Sequence, residues 1–126
     1  MTNTHALIIE DDINSAKVLA HLLARQGIES IIVTDTEQLE GQVNETPDLV
    51  FIDLEMPRMD GYEVLTELRG IQHYNEIPIV ASSVHTGEIH RVRDAGFTSF
   101  IGKPLAKDIF PGQLARILSG ENVWEI

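Results

Sequence analysis

Glu10-Asp11-Asp12, a solitary Asp53, a hydroxyl at Ser83 and an ammonium at Lys103 each stand at the end of an apolar run. The runs are Ala6-Leu7-Ile8-Ile9, Leu49-Val50-Phe51-Ile52, Ile77-Pro78-Ile79-Val80-Ala81 and residues 97–101. Brought together, such groups suit a phosphoryl group and a divalent cation. Two unit charges about 4 Å apart repel by about 4 kcal/mol at an effective dielectric near 20, so Glu10, Asp11 and Asp53 need a counter-ion if they share a site. An all-oxygen ligand set with few carboxylates, completed by water, matches Mg2+. Asp11 and Asp53 are the expected direct ligands, a main-chain carbonyl near Glu55 a third, and Glu10 a ligand through bound water. Ser83 and Lys103 offer a hydroxyl donor and a point positive charge to a transferred phosphoryl group. Asp53 is then the nucleophile, because carboxylates form aspartyl phosphates.

Elements of alternating type must hold these groups. The pattern predicts strands over residues 5–9 and 29–33, a third running into Asp53, a fourth ending near Ser82 and a fifth ending near Gly102. Between them fall helices over 13–26, 34–45, 61–70 and 87–95, with a last helix after Asp108 as N-cap and Pro111 in its first turn. The first helix is expected to bury Val18, Leu19, Leu22 and Leu23 and to close at Gly27. The second is expected to use Thr34 and Glu37 as a capping box. Continuous apolar strands in βα alternation indicate a doubly wound, five-stranded parallel sheet with helices on both faces. Ligands of such sheets bind outside the carboxyl ends of the strands, where the strand order reverses. For the order 2-1-3-4-5 that point lies between the strands that end at Glu10 and Asp53.

At 126 residues the chain is one domain, burying roughly two-thirds of its unfolded surface. We divide it into a domain over 1–120 and a tail over 121–126, where the chain reaches a natural end or a domain edge. It has no cysteine, which excludes thiol chemistry and fits a reducing compartment. Its start carries no basic segment followed by an apolar one, and no run approaches the roughly 20 apolar residues of a membrane helix. A cytoplasmic location is the expectation. The net charge of -11 opposes direct binding to nucleic acid or to an anionic membrane.

Four segments in order resemble the receiver domain of bacterial two-component response regulators: residues 7–12, Asp53-Leu54-Glu55-Met56-Pro57-Arg58-Met59-Asp60-Gly61, residues 78–83, and Lys103-Pro104-Leu105. The resemblance covers essentially the whole chain. It implies a flavodoxin-like fold, magnesium dependence, and phosphorylation of Asp53 by a sensor histidine kinase or phosphotransfer domain. It also implies a cis peptide before Pro104, while Gly61 with Asp60 serves the turn into the third helix. Within this resemblance the chain is a signalling module acting on a downstream protein target, monomeric or dimerising on phosphorylation. It is not an enzyme beyond self-phosphorylation at Asp53 and slow autodephosphorylation. Ser83 and Phe100 become the switch: the hydroxyl moves to the phosphoryl group, Phe100 rotates inward, and the face formed by the fourth helix, fifth strand and fifth helix changes.

Several positions depart from the commonest receiver pattern. Ser83 replaces a threonine. Val84 replaces a smaller residue and is expected to slow small phosphodonors. Phe100 replaces a tyrosine, which favours an inward ring even without phosphate, since no hydroxyl is buried with it. Glu55 and His85 occupy positions that tune phosphate lifetime in the family.

Taken singly, each residue has an ordinary structural explanation. Glu10-Asp11-Asp12 reads as a solvated helix entry, Asp53 as a turn residue, Ser83 as a loop hydroxyl, Lys103 as a surface charge and Phe100 as core. Asp12 is assigned to helix entry, the histidines other than His85 to surface or strand packing, and Trp124 to packing against the last helix. Joint placement favours the phosphoacceptor site. Two other classes stand beside it: a haloacid-dehalogenase-type phosphatase, which places its nucleophile on the first strand, and a receiver-like scaffold that never carries phosphate.

Overall fold

In the computed structural model, which describes residues 4–42 and 46–125, the chain alternates strand and helix almost throughout. The elements are β1 (His5–Ile9), α1 (Ile13–Ala24), β2 (Glu29–Val33), α2 (Thr36–Gln42), β3 (Leu49–Asp53), α3 (Gly61–Arg69), β4 (Ile79–Ser83), α4 (Ile89–Ala95), β5 (Ser99–Gly102), α5 (Phe110–Leu118) and β6 (Trp124–Glu125). One parallel sheet has the order β2-β1-β3-β4-β5-β6. The first five strands keep the expected order, and β6 extends the sheet.

Side chains alternate across the strands and divide the core in two. Leu7, Ile9, Val50, Ile52 and Ala81 pack against Leu39 of α2, Val64, Leu65 and Leu68 of α3, and Val92 of α4. Ala6, Ile8, Phe51 and Val80 pack against Ala16, Leu19 and Leu23 of α1 and Phe110, Leu114 and Ile117 of α5. Both faces of the sheet are therefore covered, and the polar groups of its inner strands meet solvent at the strand ends.

Local chemistry sets the helix ends. Asp12 accepts from the Asn14 N–H at 3.0 Å and from the Ser15 hydroxyl at 3.1 Å, so it caps α1. Gly27 at φ +78 ends that helix and lets the Ile28 N–H reach the Leu23 carbonyl at 3.0 Å. Asp60 caps α3 through the Tyr62 N–H at 2.8 Å. A Cβ on Gly61 would stand 2.9 Å from Leu54 Cδ2, 3.1 Å from Ile52 Cγ2 and 3.3 Å from the Asp53 carbonyl oxygen. Glycine is thus required where α3 starts against the strand that carries Asp53.

Five expectations need correction. Val18 is 59% exposed: the buried stripe of α1 is Ala16, Leu19 and Leu23, and at about 100° per residue Val18 falls outside that stripe. The cap of α2 is Asp35, which accepts from the Gln38 N–H at 2.8 Å, while Gln38 Oε1 accepts from the Thr34 N–H at 2.8 Å. That helix starts two residues later than predicted, which moves both partners of the capping box along. α5 begins at Phe110 with Ile109 as a cap that makes no side-chain bond. A turn in which the Ile109 and Phe110 N–H groups bond the Ala106 carbonyl, at 3.0 and 2.8 Å, carries the chain past Asp108. A 3-10 turn over Thr86–Glu88 precedes α4, where one continuous helix was expected.

The fifth correction concerns the supposed tail. Val123 is fully buried, and Trp124 and Glu125 pair with Phe100 and Ile101. Trp124 lies beside α4, not α5, with the Arg93 guanidinium 4.8 Å from its ring centre. Glu125 binds α5 instead, accepting from Arg116 at 2.7 Å and Gln113 at 2.9 Å. The predicted end of the second helix over 43–45 and the final Ile126 lie outside the described residues.

Candidate phosphoacceptor and metal site

The reversal of strand order between β1 and β3 places Ile9 opposite Ile52, so Glu10, Asp11 and Asp53 leave adjacent strands at the same level. One ligand oxygen from each of these three residues lies within 4.8 Å of the others. Glu10 and Asp53 are 4% and 6% exposed. Lys103, one residue beyond β5, extends its ammonium to Asp53 Oδ1 at 2.7 Å and Glu10 Oε1 at 3.1 Å. The Lys103–Pro104 peptide is cis.

Three close charges shift one another. Burial, reinforced by a hydrogen bond with Asp53 and its negative charge, pushes the Glu10 carboxyl up from 4.5 to about 7. Burial also acts to raise Asp53, but hydrogen bonds from Glu10 and Lys103 and the lysine charge outweigh it and hold Asp53 below the usual carboxylate range. Lys103 is raised: burial acts against its charge, and Asp53 and Glu10 more than compensate. Glu10 thus gains and loses its proton close to neutral pH, beside an ionised Asp53 and a single ammonium.

The donor set fits magnesium. All three side-chain groups are hard oxygen ligands, and Asp11 Oδ2 is buried with no hydrogen-bond partner, a position that a cation would satisfy. Glu55 was expected to contribute a main-chain carbonyl. Its carboxylate lies at the end of β4, where Oε1 accepts from the Ser83 hydroxyl and from the Val84 N–H, both at 2.7 Å. The Glu55 N–H donates to Asp53 Oδ1 at 3.3 Å.

Ser83 ends β4 next to Gly102 of β5, and its Oγ also accepts from the His85 N–H at 2.8 Å. Its hydroxyl therefore faces Glu55, not Asp53. Phe100 is fully buried on β5 and belongs to the core beneath α3 and α4. Sequence reasoning missed Glu88, whose carboxylate lies 3.5 Å from Ser83 Oγ, 3.4 Å from the Tyr62 hydroxyl and 3.7 Å from Arg91 Nη1. Arg91 in turn stacks 4.1 Å over the Tyr62 ring. The available signal was the acid-base spacing of Glu88 and Arg91, one helical turn apart and just past the strand that ends at Ser83.

A cleft of about 360 Å3 opens onto Asp53, walled by Val18 and Leu19 of α1, Val84, Pro104 and Leu105. Val84 is 55% exposed at its mouth.

Residues 6–113 match the family described as the response regulator receiver domain. Among curated proteins, the chain is 33% identical over 123 residues to the peroxide stress-activated histidine kinase mak1 of Schizosaccharomyces pombe, covering 90% of this chain and 7% of the kinase. It is 28% identical over 103 residues to the polar-differentiation response regulator DivK of Brucella ovis, covering 79% of this chain and 84% of that protein. The chemotaxis response regulator CheY4 of Vibrio cholerae superposes with a TM-score of 0.83 at 24% identity, over 92% of this chain and 99% of that one. Against the four kinases first matched, the chain spans between 7% and 16% of their length. Among the described residues no helix is long and apolar enough to cross a membrane.

Proposed function

The chain belongs to the response regulator receiver domain family, and on that premise we propose that Asp53 accepts a phosphoryl group from a phosphohistidine on a sensor histidine kinase or phosphotransfer domain. The contact that carries this reading is the 2.7 Å approach of Lys103 Nζ to Asp53 Oδ1 beside the Glu10 and Asp11 carboxylates. An Asp53 oxygen attacks phosphorus as the phosphorus–nitrogen bond breaks. The bonding pair stays on the imidazole nitrogen, and an acyl phosphate remains on Asp53.

Lys103 offsets negative charge on the transferring oxygens, and its anchoring to both carboxylates orients it before the donor arrives. Glu10, Asp11, Asp53 and the Glu55 carbonyl are the residues that would hold magnesium. When bound, the ion supplies charge neutralisation and a Lewis-acid contact for the phosphoryl oxygens. Glu10, which would reach the ion through a bound water, must give up its proton to accept from that water. The apolar walls of the cleft, with Val18 and Val84 exposed at its rim, suit a donor imidazole carried on an amphipathic helix.

The product is a phosphorylated signalling module without turnover chemistry of its own beyond slow loss of the phosphate. Family membership displaces the phosphatase alternative, because Asp53 lies on the third strand and the acid pair comes first in the chain. The intact Asp53, Ser83 and Lys103 set argues against a scaffold that never carries phosphate. We assign a downstream protein target to the face formed by α4, β5 and α5, with a monomer or a phosphorylation-promoted dimer as the working assembly, in the cytoplasm. Ser83 and Phe100 are the proposed switch residues. Incubation with a phosphorylated histidine phosphotransfer domain should move label to this chain in the presence of magnesium. Label that appears equally on Asp53→Asn would refute the assignment.

A further inference from the structure

Where β4 ends beside β3, two donors converge on one oxygen. The Ser83 hydroxyl and the Val84 N–H both reach Glu55 Oε1 at 2.7 Å. Ser83 has one proton to give, and the next acceptor, Glu88 Oε2, is 3.5 Å away, a far weaker contact. That proton is committed to Glu55, and so is the only hydrogen of the Val84 amide. Ser83 is fully buried and sits beside the strand that carries Asp53, so these are the donors at hand for an oxygen of a phosphoryl group on Asp53. The second Glu55 oxygen, Oε2, is buried without a hydrogen-bond partner. A carboxylate in this setting is held by two donors through one oxygen and left unsatisfied at the other.

We propose that the Glu55 carboxylate is an internal occupant of the phosphoryl-oxygen position, which must be expelled for Ser83 and Val84 to grip a phosphoryl group on Asp53. This inference deepens the phosphoacceptor reading and rests on it. Glu55 is then a positioning residue that acts through Ser83 and Val84. It sets the strength with which the acyl phosphate is held on this side, because each bond that phosphate gains from Ser83 and Val84 is first lost by the carboxylate. A phosphoryl group on Asp53 brings about two further negative charges toward Glu55, so the two occupants exclude one another electrostatically as well as by competing for donors. The arrangement also ties the exchange to Glu88, whose carboxylate lies within reach of Ser83, Tyr62 and Arg91. Release of the Ser83 hydroxyl from Glu55 therefore changes the surroundings of the turn that leads into α4.

The test uses the full chain and two readouts. In ion-free protein, amide NMR should show the Val84 N–H protected from exchange and shifted downfield in wild type, retained in Glu55→Gln, which keeps the acceptor oxygen, and lost in Glu55→Ala. With magnesium and beryllofluoride as the phosphoryl probe, the Val84 amide should shift little in wild type, where one bond replaces another, and strongly in Glu55→Ala. The dissociation constant of the probe should fall about tenfold in Glu55→Ala, with Glu55→Gln between the two. A Val84 amide identical in ion-free wild type and Glu55→Ala would overturn the proposal, as would equal probe affinities. If wild type and both variants bind no beryllofluoride, the phosphoacceptor reading fails, while the ion-free amide comparison still decides whether Glu55 occupies the donors.

Discussion

The two flanks of Asp53 are built in opposite ways. On the side of α1, Glu10, Asp11 and Asp53 crowd around one lysine, with Asp11 Oδ2 unpartnered and Glu10 driven toward a neutral state by burial. On the side of α4, the donors of Ser83 and Val84 are already matched to Glu55. The first flank holds more negative charge than its own cation can balance, which prepares it for a metal ion. The second has its hydrogen bonds completed from within, which makes the switch side of the site a competition. A phosphoryl group on Asp53 would have to satisfy both flanks: neutralised on one side, exchanged for a carboxylate on the other.

The largest break in this contrast is loss of the shared cation. Lys103→Ala should slow phosphorylation by small donors about 100-fold, measured as the initial rate with acetyl phosphate, since a preorganised charge at the transferring group is removed. Lys103→Arg keeps the charge but not the compact point donor, and should recover only part of that rate.

Gly61 comes next, because it keeps α3 against the backbone of Asp53. Gly61→Val should lower unfolding stability by about 2 kcal/mol in urea titration, as the added atoms push against Leu54, Ile52 and the Asp53 carbonyl. A stability equal to wild type would mean that the loop bearing Glu55 is not fixed by this contact.

The metal flank can be sharpened by pH. The folded state raises Glu10 from 4.5 to about 7 and so favours its protonated form. Its stabilising contribution is full below 4.5 and is lost as pH rises through about 7. Asp53, held below its ordinary 3.8, works in the opposite sense: its contribution is present above that value and is lost as pH falls. Ion-free protein should therefore lose stability as pH rises from 4.5 to about 7, where Glu10 titrates and Asp53 does not, and magnesium affinity should rise over the same interval. Glu10→Gln should flatten both curves, read by thermal denaturation and by magnesium titration.

The smallest expected effect belongs to the cleft mouth. Val84→Ala should speed acetyl phosphate uptake severalfold at most, because the Val84 side chain narrows the mouth of the cleft and its backbone N–H is kept. A variant no faster than wild type would mean that the Val84 side chain does not limit access to Asp53.

The meeting of Glu10, Asp11, Asp53 and Lys103 was legible in the sequence because strand ends fix it: an apolar run that stops at Asp53 places that carboxylate at the sheet edge whatever the surrounding loops do. Asp12 and Asp60 were legible as helix-entry residues for a similar local reason. The second flank was not legible. Glu55 lies in a loop whose path no periodicity encodes, so its position was visible and the direction of its carboxylate was not. Val18 misled because four apolar residues in six span more than one helix face, and only packing against the sheet selects Ala16, Leu19 and Leu23. Trp124 and Glu125 form a strand too short to carry an alternation pattern, and their pairing with β5 depends on Val123 being drawn into the core. Asp108 has the side chain of a helix cap, yet the turn closed on Ala106 carries the chain past it.

The central claim, that Asp53 is the group both flanks serve, is tested most directly by intact-mass spectrometry after incubation with magnesium and acetyl phosphate. The wild-type chain should gain one phosphoryl group, and none when magnesium is chelated beforehand or when Asp53 is replaced by Asn. The same adduct on Asp53→Asn, or a wild-type chain that takes up no phosphoryl group under these conditions, would contradict it.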